Sequence, residues 1–369
     1  MIIGIDGNEA NVENHVGTSV YTLELLRYFA QHASHEKQFV VYTRTPRRST
    51  LPEPTQYFRY VHIPGAKFWR DVYFPLYLYM HREIDVLFCP AHYAPRFCPV
   101  PIVVTIHDVA YEYFPHEFLK TDLFKLKSWT RHALARAQHV ITVSEESKKD
   151  VRKFYKTSAR KITTVLNGFR TYAHASANGD LARLKKYHVE SHSYVLYVGT
   201  LQPRKNISTL IKAFSHLHAS DPDLKLLIAG KKGWLFQGIF ETIDELGLKN
   251  QVVLPGYVPD EDLSTLYRQA CVFVMPSLYE GFGIPLLEAM HQKCPVVSSN
   301  SSCLPEIGGD ACLYVDPHDD RAMSQAIARI MHSPAIRQSL VTAGSARVKN
   351  FSFEKMGRET LQILSDSHS

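Results

Sequence analysis

Two glutamates lie close together where a predicted buried strand gives way to a helix. Glu280 sits in the glycine-rich segment Ser277-Leu-Tyr-Glu-Gly-Phe-Gly-Ile-Pro, and Glu288 follows it in an apolar helical pattern. This pattern predicts a helix from Pro285, whose first backbone N–H groups would suit a phosphate. Carboxylates beside such an anion site would accept hydrogen bonds from sugar hydroxyls. The alternative is that Glu288 only stabilises the first turn of the helix and that Glu280 is solvated.

Two adjacent cations follow another predicted strand. Arg204 and Lys205 lie in Gly199-Thr-Leu-Gln-Pro-Arg-Lys-Asn, between the strand 194–198 and a helical pattern. An arginine offers a planar fork of donors and a lysine offers a point charge, so the pair suits a diphosphate. A solvated turn is the alternative.

Two segments of the first half of the chain could also approach a ligand. Thr105-Ile-His107-Asp108 ends a predicted central strand, and His107 is either a ligand-site residue or a hydrogen-bonded structural residue. Gly17 follows the first strand, where a missing side chain would permit close approach, although a flexible loop is the alternative. The spacing around Gly17 is not Gly-x-Gly-x-x-Gly, which disfavours an oxidoreductase that binds a dinucleotide.

Metal-binding patterns are weak. Asp221-Pro-Asp223 is typical of a turn, and Asp260-Glu-Asp262 is typical of a helix start. Two histidines at positions 216 and 218 fall on a predicted helix, where residues two apart do not share a face. We therefore expect neither a metal nor another cofactor.

Apolar runs and amphipathic stretches alternate along the whole chain and must position these residues. Nearly continuous apolar runs predict strands that are buried on both faces of parallel sheets. The predicted strands are 2–6, 39–43, 58–63, 85–89, 102–107, 140–144, 162–166, 194–198, 224–229, 252–254, 272–275, 296–298 and 313–315. Amphipathic patterns between them, such as Thr18–His32, predict helices.

The alternation predicts an α/β protein with two Rossmann-like, doubly wound domains that face a cleft. The first domain is expected over residues 1–172 and the second over residues 190–350. The small, polar, histidine-rich stretch 171–193 is expected to connect them. Residues 351–369 are expected to form a helix that crosses back to the first domain.

Composition excludes several other classes. The 369 residues are 45% hydrophobic and 21% charged, which is typical of a globular rather than a disordered protein. No apolar run reaches about 18 residues, so no transmembrane helix is predicted, and the N-terminus lacks a signal-peptide pattern. The six cysteines include no Cys-x-x-Cys pair and are expected to be buried thiols of a cytoplasmic protein.

Positive charge is concentrated in the first half. Residues 1–172 contain 23 Lys and Arg against 16 Asp and Glu, whereas the rest of the chain contains 19 against 20. This excess could face an anionic partner, or it could belong to a solvated surface. Acidic and apolar residues interrupt the basic stretch 148–161, so we expect no nucleic-acid partner.

Taken in order along the chain, these strings resemble the retaining nucleotide-sugar glycosyltransferases of glycosyltransferase family 4, which have the GT-B fold. The matching strings are Asp6…Gly17-Thr-Ser-Val-Tyr21, Thr105-Ile-His107-Asp108, Val143-Ser-Glu-Glu-Ser147, Asn167-Gly168, Tyr197-Val-Gly-Thr-Leu-Gln-Pro-Arg-Lys-Asn206, Glu280-x7-Glu288 and Leu304-Pro-Glu306…Gly309-Asp-Ala311. The string from Tyr197 resembles the mannosyltransferase-like branch in particular. One departure is Thr200, where relatives often carry an arginine, so Arg204 and Lys205 would carry more of the phosphate charge.

The resemblance implies a role for each site residue. His107 would lie beside the donor sugar at the reaction centre, Arg204 and Lys205 would neutralise the leaving diphosphate, and Glu280 would contact hydroxyls of the donor sugar. The remaining residues would bind the donor: Glu288 at the ribose, backbone groups of Phe282, Gly283 and Ile284 at phosphate and sugar, and Gly17 at phosphate and acceptor.

The resemblance also implies an activity. A sugar would move with retention from a nucleotide-diphosphate sugar, GDP-mannose first or else a UDP-sugar, to a glycan or lipid-linked acceptor in cell-surface polysaccharide synthesis. The first domain would bind the acceptor and the second the nucleotide sugar, and members of the family need no metal. Two alternatives are a GT-B nucleotide-sugar 2-epimerase and a non-catalytic subunit that binds a nucleotide sugar.

A last hypothesis concerns the segment from Lys67 to Tyr79, which is rich in aromatic residues and has basic flanks. Aromatic and basic residues favour the interface of an anionic membrane, so this segment is expected to make a peripheral contact with the inner face of the cytoplasmic membrane. The alternative is that Pro75 interrupts any helix here and that the aromatic side chains pack beneath the first sheet.

Overall fold

The computed structural model describes residues 1–15, 17–65, 67–172 and 177–367, and the chain divides into two compact units. The first unit comprises Met1–Gly168 together with Phe351–Ser369, and the second comprises Phe169–Asn350. Each unit is built on one parallel sheet.

The sheet of the first unit has seven strands in the order β3-β2-β1-β4-β5-β6-β7. Its strands are β1 (Ile2–Asp6), β2 (Gln38–Thr43), β3 (Phe58–His62), β4 (Val86–Cys89), β5 (Ile102–Ile106), β6 (His139–Thr142) and β7 (Ile162–Thr164). Helices α1 (Thr18–Gln31), α2 (Phe74–Met80), α3 (Ala110–Tyr113), α4 (Lys120–Arg136) and α5 (Glu145–Tyr155) connect them. The strand order reverses between β1 and β4, and ligands of doubly wound sheets bind at the carboxyl ends of strands at such a point.

The sheet of the second unit has six strands in the order β10-β9-β8-β11-β12-β13. Its strands are β8 (Tyr194–Val198), β9 (Lys225–Ala229), β10 (Val252–Gly256), β11 (Val272–Met275), β12 (Val296–Ser299) and β13 (Cys312–Val315). Its helices are α6 (Ala177–Lys186), α7 (Ile207–His218), α8 (Gln237–Glu245), α9 (Asp260–Gln269), α10 (Ile284–His291), α11 (Leu304–Gly308), α12 (Asp320–His332) and α13 (Pro334–Arg347). Here the order reverses between β8 and β11.

The strands confirm the sequence prediction, and each end lies within two residues of the predicted one. The central strands β4, β5 and β11 are buried along their whole length, as their continuous apolar runs indicate. All six cysteines are buried thiols, as expected. Within the described ranges no helix combines the length and apolar character needed to cross a bilayer.

The stretch predicted to connect the two halves contains a helix. α6 lies inside it, belongs to the second unit and packs against α9. Its buried Asp180 accepts hydrogen bonds from Arg268 on α9, while Asp262 on α9 pairs with Arg183 on α6. Much of this packing consists of ion pairs. The sequence of α6 therefore lacks a strong apolar pattern that would predict a helix. Residues 173–176 of the same stretch lie outside the described part of the chain.

The aromatic segment around Pro75 is helical, so the part of the alternative in which this proline interrupts any helix is wrong. A π-helical turn at Trp69–Tyr73 leads into α2, and Pro75 is the second residue of α2, a position in the first turn where proline is tolerated. Trp69 and Phe74 are buried and stack on each other, whereas Leu76 is exposed. The segment therefore has a buried and an exposed side.

The last helix, α14 (Phe353–Asp366), packs against α1 in the first unit. The two helices pack closely at Gly357, where an added Cβ would overlap ring carbons of the buried Tyr28. A glycine in the middle of a helix lowers helix stability, so close packing is the reason that a glycine fits here. Residues 368 and 369, which were predicted to extend this helix, lie outside the described residues.

We expect Gly357→Ala to lower the free energy of unfolding of the first unit by about 1–3 kcal/mol, because the overlap with Tyr28 exceeds the gain in helix propensity. Gly238→Ala in α8 is the control, since a Cβ there would have no neighbour within 4 Å. That variant should unfold at the same or slightly higher urea concentration. Equal stabilities for Gly357→Ala and the wild type would show that α14 does not pack closely at this point.

Candidate functional site

A glycine cap positions the loop between β11 and α10. The loop turns into the helix at Gly283, which has a φ of 96° and precedes the first helical residue, Ile284. A Cβ at this position would lie 2.8 Å from Leu304 Cδ2, so both the backbone conformation and the space require glycine. The N–H groups at the start of α10 give this end of the helix a partial positive charge.

The loop after β8 is tied to the same place. Pro203–Lys205 form a short 3₁₀ turn, and Asn206 follows in the left-handed region with a φ of 57°. The Asn206 side chain donates to the carbonyl oxygens of Pro276 (3.0 Å) and Pro317 (2.7 Å). The Leu278 N–H donates to the Arg204 carbonyl oxygen at 2.8 Å. These bonds hold the two predicted cations against the loop that carries Glu280.

Glu280 and the two cations form a buried cluster. Lys205 Nζ donates to Glu280 Oε1 at 2.5 Å, Ser277 Oγ donates to the same oxygen at 2.7 Å, and Arg204 Nη1 lies 3.8 Å from Glu280 Oε2. Burial acts to raise the pKa of Glu280, but the charges of Lys205 and Arg204 hold that pKa below its ordinary value. Glu280 is therefore an ionised acceptor with excess positive charge beside it.

Glu288 lies in a different environment. It is the fifth residue of α10, so the alternative of a carboxylate that stabilises the first turn is wrong. Its Oε1 accepts a hydrogen bond from the Tyr172 hydroxyl at 2.8 Å, and its Oε2 accepts one from the Tyr267 hydroxyl at 3.1 Å. Burial raises the pKa of Glu288 to about 7, against these two hydrogen bonds, which lower it. Near neutral pH this carboxyl group can therefore carry or release a proton.

The other predicted site residues fall into two groups. Phe282, which is buried, precedes the Gly283 cap, and Ile284 begins α10, so all three lie at the positively charged end of that helix. His107 and Gly17 belong to the first unit. Gly17 caps α1 with a φ of 54°, and a Cβ there would have no neighbour within 4 Å. The adjacent Val16 of the predicted glycine loop lies outside the described residues.

His107 follows β5 and is held on two sides. Its Nε2–H donates to the Pro90 carbonyl oxygen at 2.8 Å, and Tyr21 packs edge-on against its ring at a centroid distance of 4.7 Å. Burial lowers the pKa of His107, so the ring is neutral near pH 7. The structure thus shows a hydrogen-bonded histidine, and its second ring nitrogen, Nδ1, is the group that a ligand could engage.

Several partners of the site residues were not predicted from the sequence. Ser277 could have been found, because it is a hydroxyl residue three positions before Glu280. Tyr172 and Tyr267 gave no such signal, since they reach Glu288 from distant points of the chain. Arg70, which lies within the aromatic segment, pairs with Asp6 at 2.9 Å.

Residues of two of the weak metal-binding patterns take part in other interactions. Asp260 begins α9, as predicted, and pairs with Arg170 at 2.8 Å, while Asp262 pairs with Lys186 at 2.7 Å. His216 lies 2.6 Å from Asp320. Across residues 1–15, 17–65, 67–172 and 177–367, no three His, Cys, Asp or Glu side chains are grouped as metal ligands.

Comparison with known sequences identifies two family models. Residues 16–173 match Glycosyltransferase Family 4, and residues 182–347 match Glycosyl transferases group 1. O-antigen chain mannosyltransferase B of Escherichia coli is 35% identical over 261 residues, which are 70% of this chain and 68% of that protein. O-antigen chain mannosyltransferase RfbU of Salmonella typhimurium is 27% identical over 285 residues, 76% of this chain and 74% of that protein.

A solved structure shares the complete fold. Sucrose-phosphate synthase from Thermosynechococcus elongatus superimposes with a TM-score of 0.79 at 20% identity, covering 99% of this chain and 98% of that one. The two Rossmann-like units therefore form a GT-B fold, as the sequence predicted.

The buried cluster predicts strong coupling between Lys205 and Glu280. Lys205→Met should lower the free energy of unfolding by about 3–5 kcal/mol, because it leaves a buried carboxylate with one partner fewer. Lys205→Met combined with Glu280→Gln should cost less than the two single losses together, as measured by urea unfolding. Lys249→Met is the control, because Lys249 pairs with Asp244 on an exposed surface and should change stability by less than about 1 kcal/mol. Additive losses would contradict the coupling.

The raised pKa of Glu288 predicts a pH-dependent stability. The folded state holds this proton up to about pH 7, whereas an ordinary glutamate has a pKa of 4.5. The resulting contribution to stability is present below pH 4.5 and is lost as the pH rises towards 7 and beyond. Relative to Glu288→Gln, the wild type should therefore lose about 2–3 kcal/mol of unfolding free energy between pH 5 and pH 8. A difference between the two proteins that stays constant over this range would show that Glu288 has an ordinary pKa.

Proposed function

The chain belongs to glycosyltransferase family 4, and we propose that it transfers mannose from GDP-mannose to a glycan or lipid-linked acceptor. This transfer would be a step in the synthesis of a cell-surface polysaccharide. It is a glycosyltransferase of GT-B fold. The mannosyl group is proposed from the similarity to O-antigen mannosyltransferases, which extends over more than two thirds of this chain, and a UDP-sugar is the second choice of donor.

One observation carries the proposal: two cations and a helix start lie beside a buried, ionised carboxylate. Arg204, Lys205 and Glu280 together have a net charge of +1, and the N-terminal end of α10 adds a partial positive charge. Such an arrangement favours an anion, and a diphosphate linked to a sugar would place hydroxyl groups near Glu280. The same carboxylate that holds Lys205 in place would then accept hydrogen bonds from the sugar.

This arrangement suits the charge changes of glycosyl transfer. When the bond between the anomeric carbon and the phosphate oxygen breaks, negative charge grows on the departing nucleotide diphosphate. Lys205 and Arg204 are already held by hydrogen bonds, so they stabilise that charge without reorganising. The acceptor hydroxyl attacks the anomeric carbon from the same face and passes its proton to the departing diphosphate, which retains the configuration, as in related family members. No protein nucleophile is required in this scheme.

The remaining residues complete the donor and acceptor sites. Glu288 would bind the ribose hydroxyls, exchanging its bonds from Tyr172 and Tyr267 for bonds to the ligand. Backbone groups of Phe282, Gly283 and Ile284 would contact phosphate and sugar. The first unit would bind the acceptor, with His107 and Gly17 contributed from that unit. Because two cations and a helix start supply the positive charge, we propose that transfer needs no metal.

We further propose that the protein is cytoplasmic and that α2 rests on the inner face of the cytoplasmic membrane. Exposed apolar side chains recur along this segment as a stripe: Phe68 precedes the π-helical turn, Val72 lies in that turn, and Leu76 and Met80 lie four residues apart on one side of α2. Lys67 and Arg82 flank this stripe, and the first 172 residues have an excess of positive charge. An anionic bilayer complements both features.

The function is tested by incubating the protein with GDP-mannose, UDP-glucose or UDP-galactose and a mannose-terminated oligosaccharide. We expect mannose transfer that persists in EDTA, and a loss of about 10²–10³-fold in turnover for Lys205→Ala, measured well below its unfolding temperature. Lys249→Ala, an exposed lysine of the same unit, is the control.

The same assay separates the alternatives. Conversion of the donor to its C2 epimer without an acceptor would identify an epimerase. Donor binding in a thermal-shift assay without any product would identify a non-catalytic subunit. Complete inhibition by EDTA that Mg²⁺ reverses would refute metal independence, and normal turnover in Lys205→Ala would refute the assignment of the leaving-group site.

The membrane contact predicts binding to anionic vesicles. In flotation with phosphatidylglycerol-containing liposomes at low salt, the wild type should float with the vesicles, and Leu76→Glu combined with Met80→Glu should not. Leu235→Glu is the control, because Leu235 is as exposed as Leu76 (59% and 57%) but lies in the second unit. A wild type that stays unbound even at low salt would indicate a soluble acceptor instead.

A further inference from the structure

A cavity of about 640 Å³ opens in the first unit at the carboxyl ends of β1, β2 and β4. Its wall includes Glu9, Arg48, Arg70, Tyr93 and Trp129, all within the described residues. The volume lies within the range of about 300–1,000 Å³ that is typical of small-molecule sites. The cavity also lies where the strand order reverses between β1 and β4, the position at which doubly wound sheets bind ligands.

A chain of contacts fixes one aromatic ring in this wall. Arg70 Nε donates to Asp6 Oδ2 at 2.9 Å, and the guanidinium lies 4.5 Å above the centre of the Tyr93 ring. The Tyr93 ring in turn meets the Trp129 ring edge-to-face at 5.1 Å. Trp129 is nevertheless 42% exposed. The indole therefore packs against the Tyr93 ring while part of it stays open to a ligand.

The charges around the cavity balance, which favours a neutral ligand over an anionic one: the lining contains Arg44, Arg48, Lys67 and Arg70 against Glu9, Glu13 and Asp71, and Asp6 pairs with Arg70. Arg70 is balanced by Asp6 and by Glu9, whose Oε1 accepts from Arg70 Nη2 at 3.2 Å. Arg48 pairs with Glu13 at 3.3 Å. Because Glu9 uses one oxygen for Arg70, its other oxygen can accept a hydrogen bond from a ligand. The wall thus combines a flat apolar ring with a positioned hydrogen-bond acceptor.

A hexose ring has the complementary chemistry, with a C–H face that packs on an indole and hydroxyls at its edge that donate to a carboxylate. We propose that this cavity binds a neutral hexose unit of the acceptor glycan, which packs on Trp129 and donates hydroxyl hydrogen bonds to Glu9. This proposal rests on the proposed function, because it assumes that the ligand is the acceptor glycan. It assigns Trp129 and Glu9 to acceptor binding and Arg70 to positioning them.

The test is direct binding of mannotriose, measured by saturation-transfer NMR and by a tryptophan fluorescence titration in the absence of donor. Trp129→Ala should weaken binding by at least about tenfold, Trp129→Phe should weaken it less, and Glu9→Gln should weaken it severalfold. Trp234→Ala is the matched control, because Trp234 is 40% exposed in the second unit, and its affinity should equal that of the wild type. Trp129→Ala should keep the thermal shift that the wild type shows with GDP.

Two outcomes would overturn the inference: a wild type that binds no mannotriose, or unchanged affinity in both Trp129→Ala and Glu9→Gln. Failure of the proposed function would look different. If mannose transfer is absent but mannotriose binding depends on Trp129, the cavity assignment stands and the donor assignment falls. In an active enzyme, Trp129→Ala should raise the KM for the acceptor more than it lowers kcat.

Discussion

The proposed donor site depends on a carboxylate that is buried with its charge. Moving an ionised glutamate out of water is costly unless cations and hydrogen-bond donors replace the water. Glu280 meets this condition through Lys205, Arg204 and Ser277. The requirement works in both directions, because the same carboxylate fixes two flexible basic side chains at the end of a strand. A preformed cationic site is therefore a consequence of how one buried charge is stabilised.

Glu288 lies only eight residues after Glu280, yet its carboxyl group has the opposite electrostatic character. Its hydrogen-bond donors are the hydroxyls of Tyr172 and Tyr267, so burial outweighs them and its pKa rises to about 7. Two glutamates of one motif thus differ in charge because a cation accompanies one and neutral hydroxyls accompany the other. An ionised group suits a cationic diphosphate site, whereas a group that can hold or release a proton suits exchangeable bonds to hydroxyls.

Backbone geometry is as important as charge in placing these groups. Gly283 permits the turn that starts α10, and Asn206, in the left-handed region, ties the cationic loop to Pro276 and Pro317. The first unit uses a comparable arrangement, in which Arg70 connects Asp6 at the end of β1 with Tyr93 beyond β4. In both units, residues at the carboxyl ends of parallel strands converge because the strand order reverses there.

The sequence by itself determined the α/β class, the strands and the segments that carry Lys205, Glu280 and Glu288, because buried parallel strands and glycine-containing turns leave strong local patterns. It did not reveal α6, whose packing relies on ion pairs such as that of Asp180 with Arg268, or the helix through Pro75. Only the tertiary structure decided which of the two glutamates is ionised and which ring lines the cavity of the first unit. Those properties depend on Tyr172, Tyr267 and Arg70, which reach their partners across long stretches of chain, and no local pattern records such contacts.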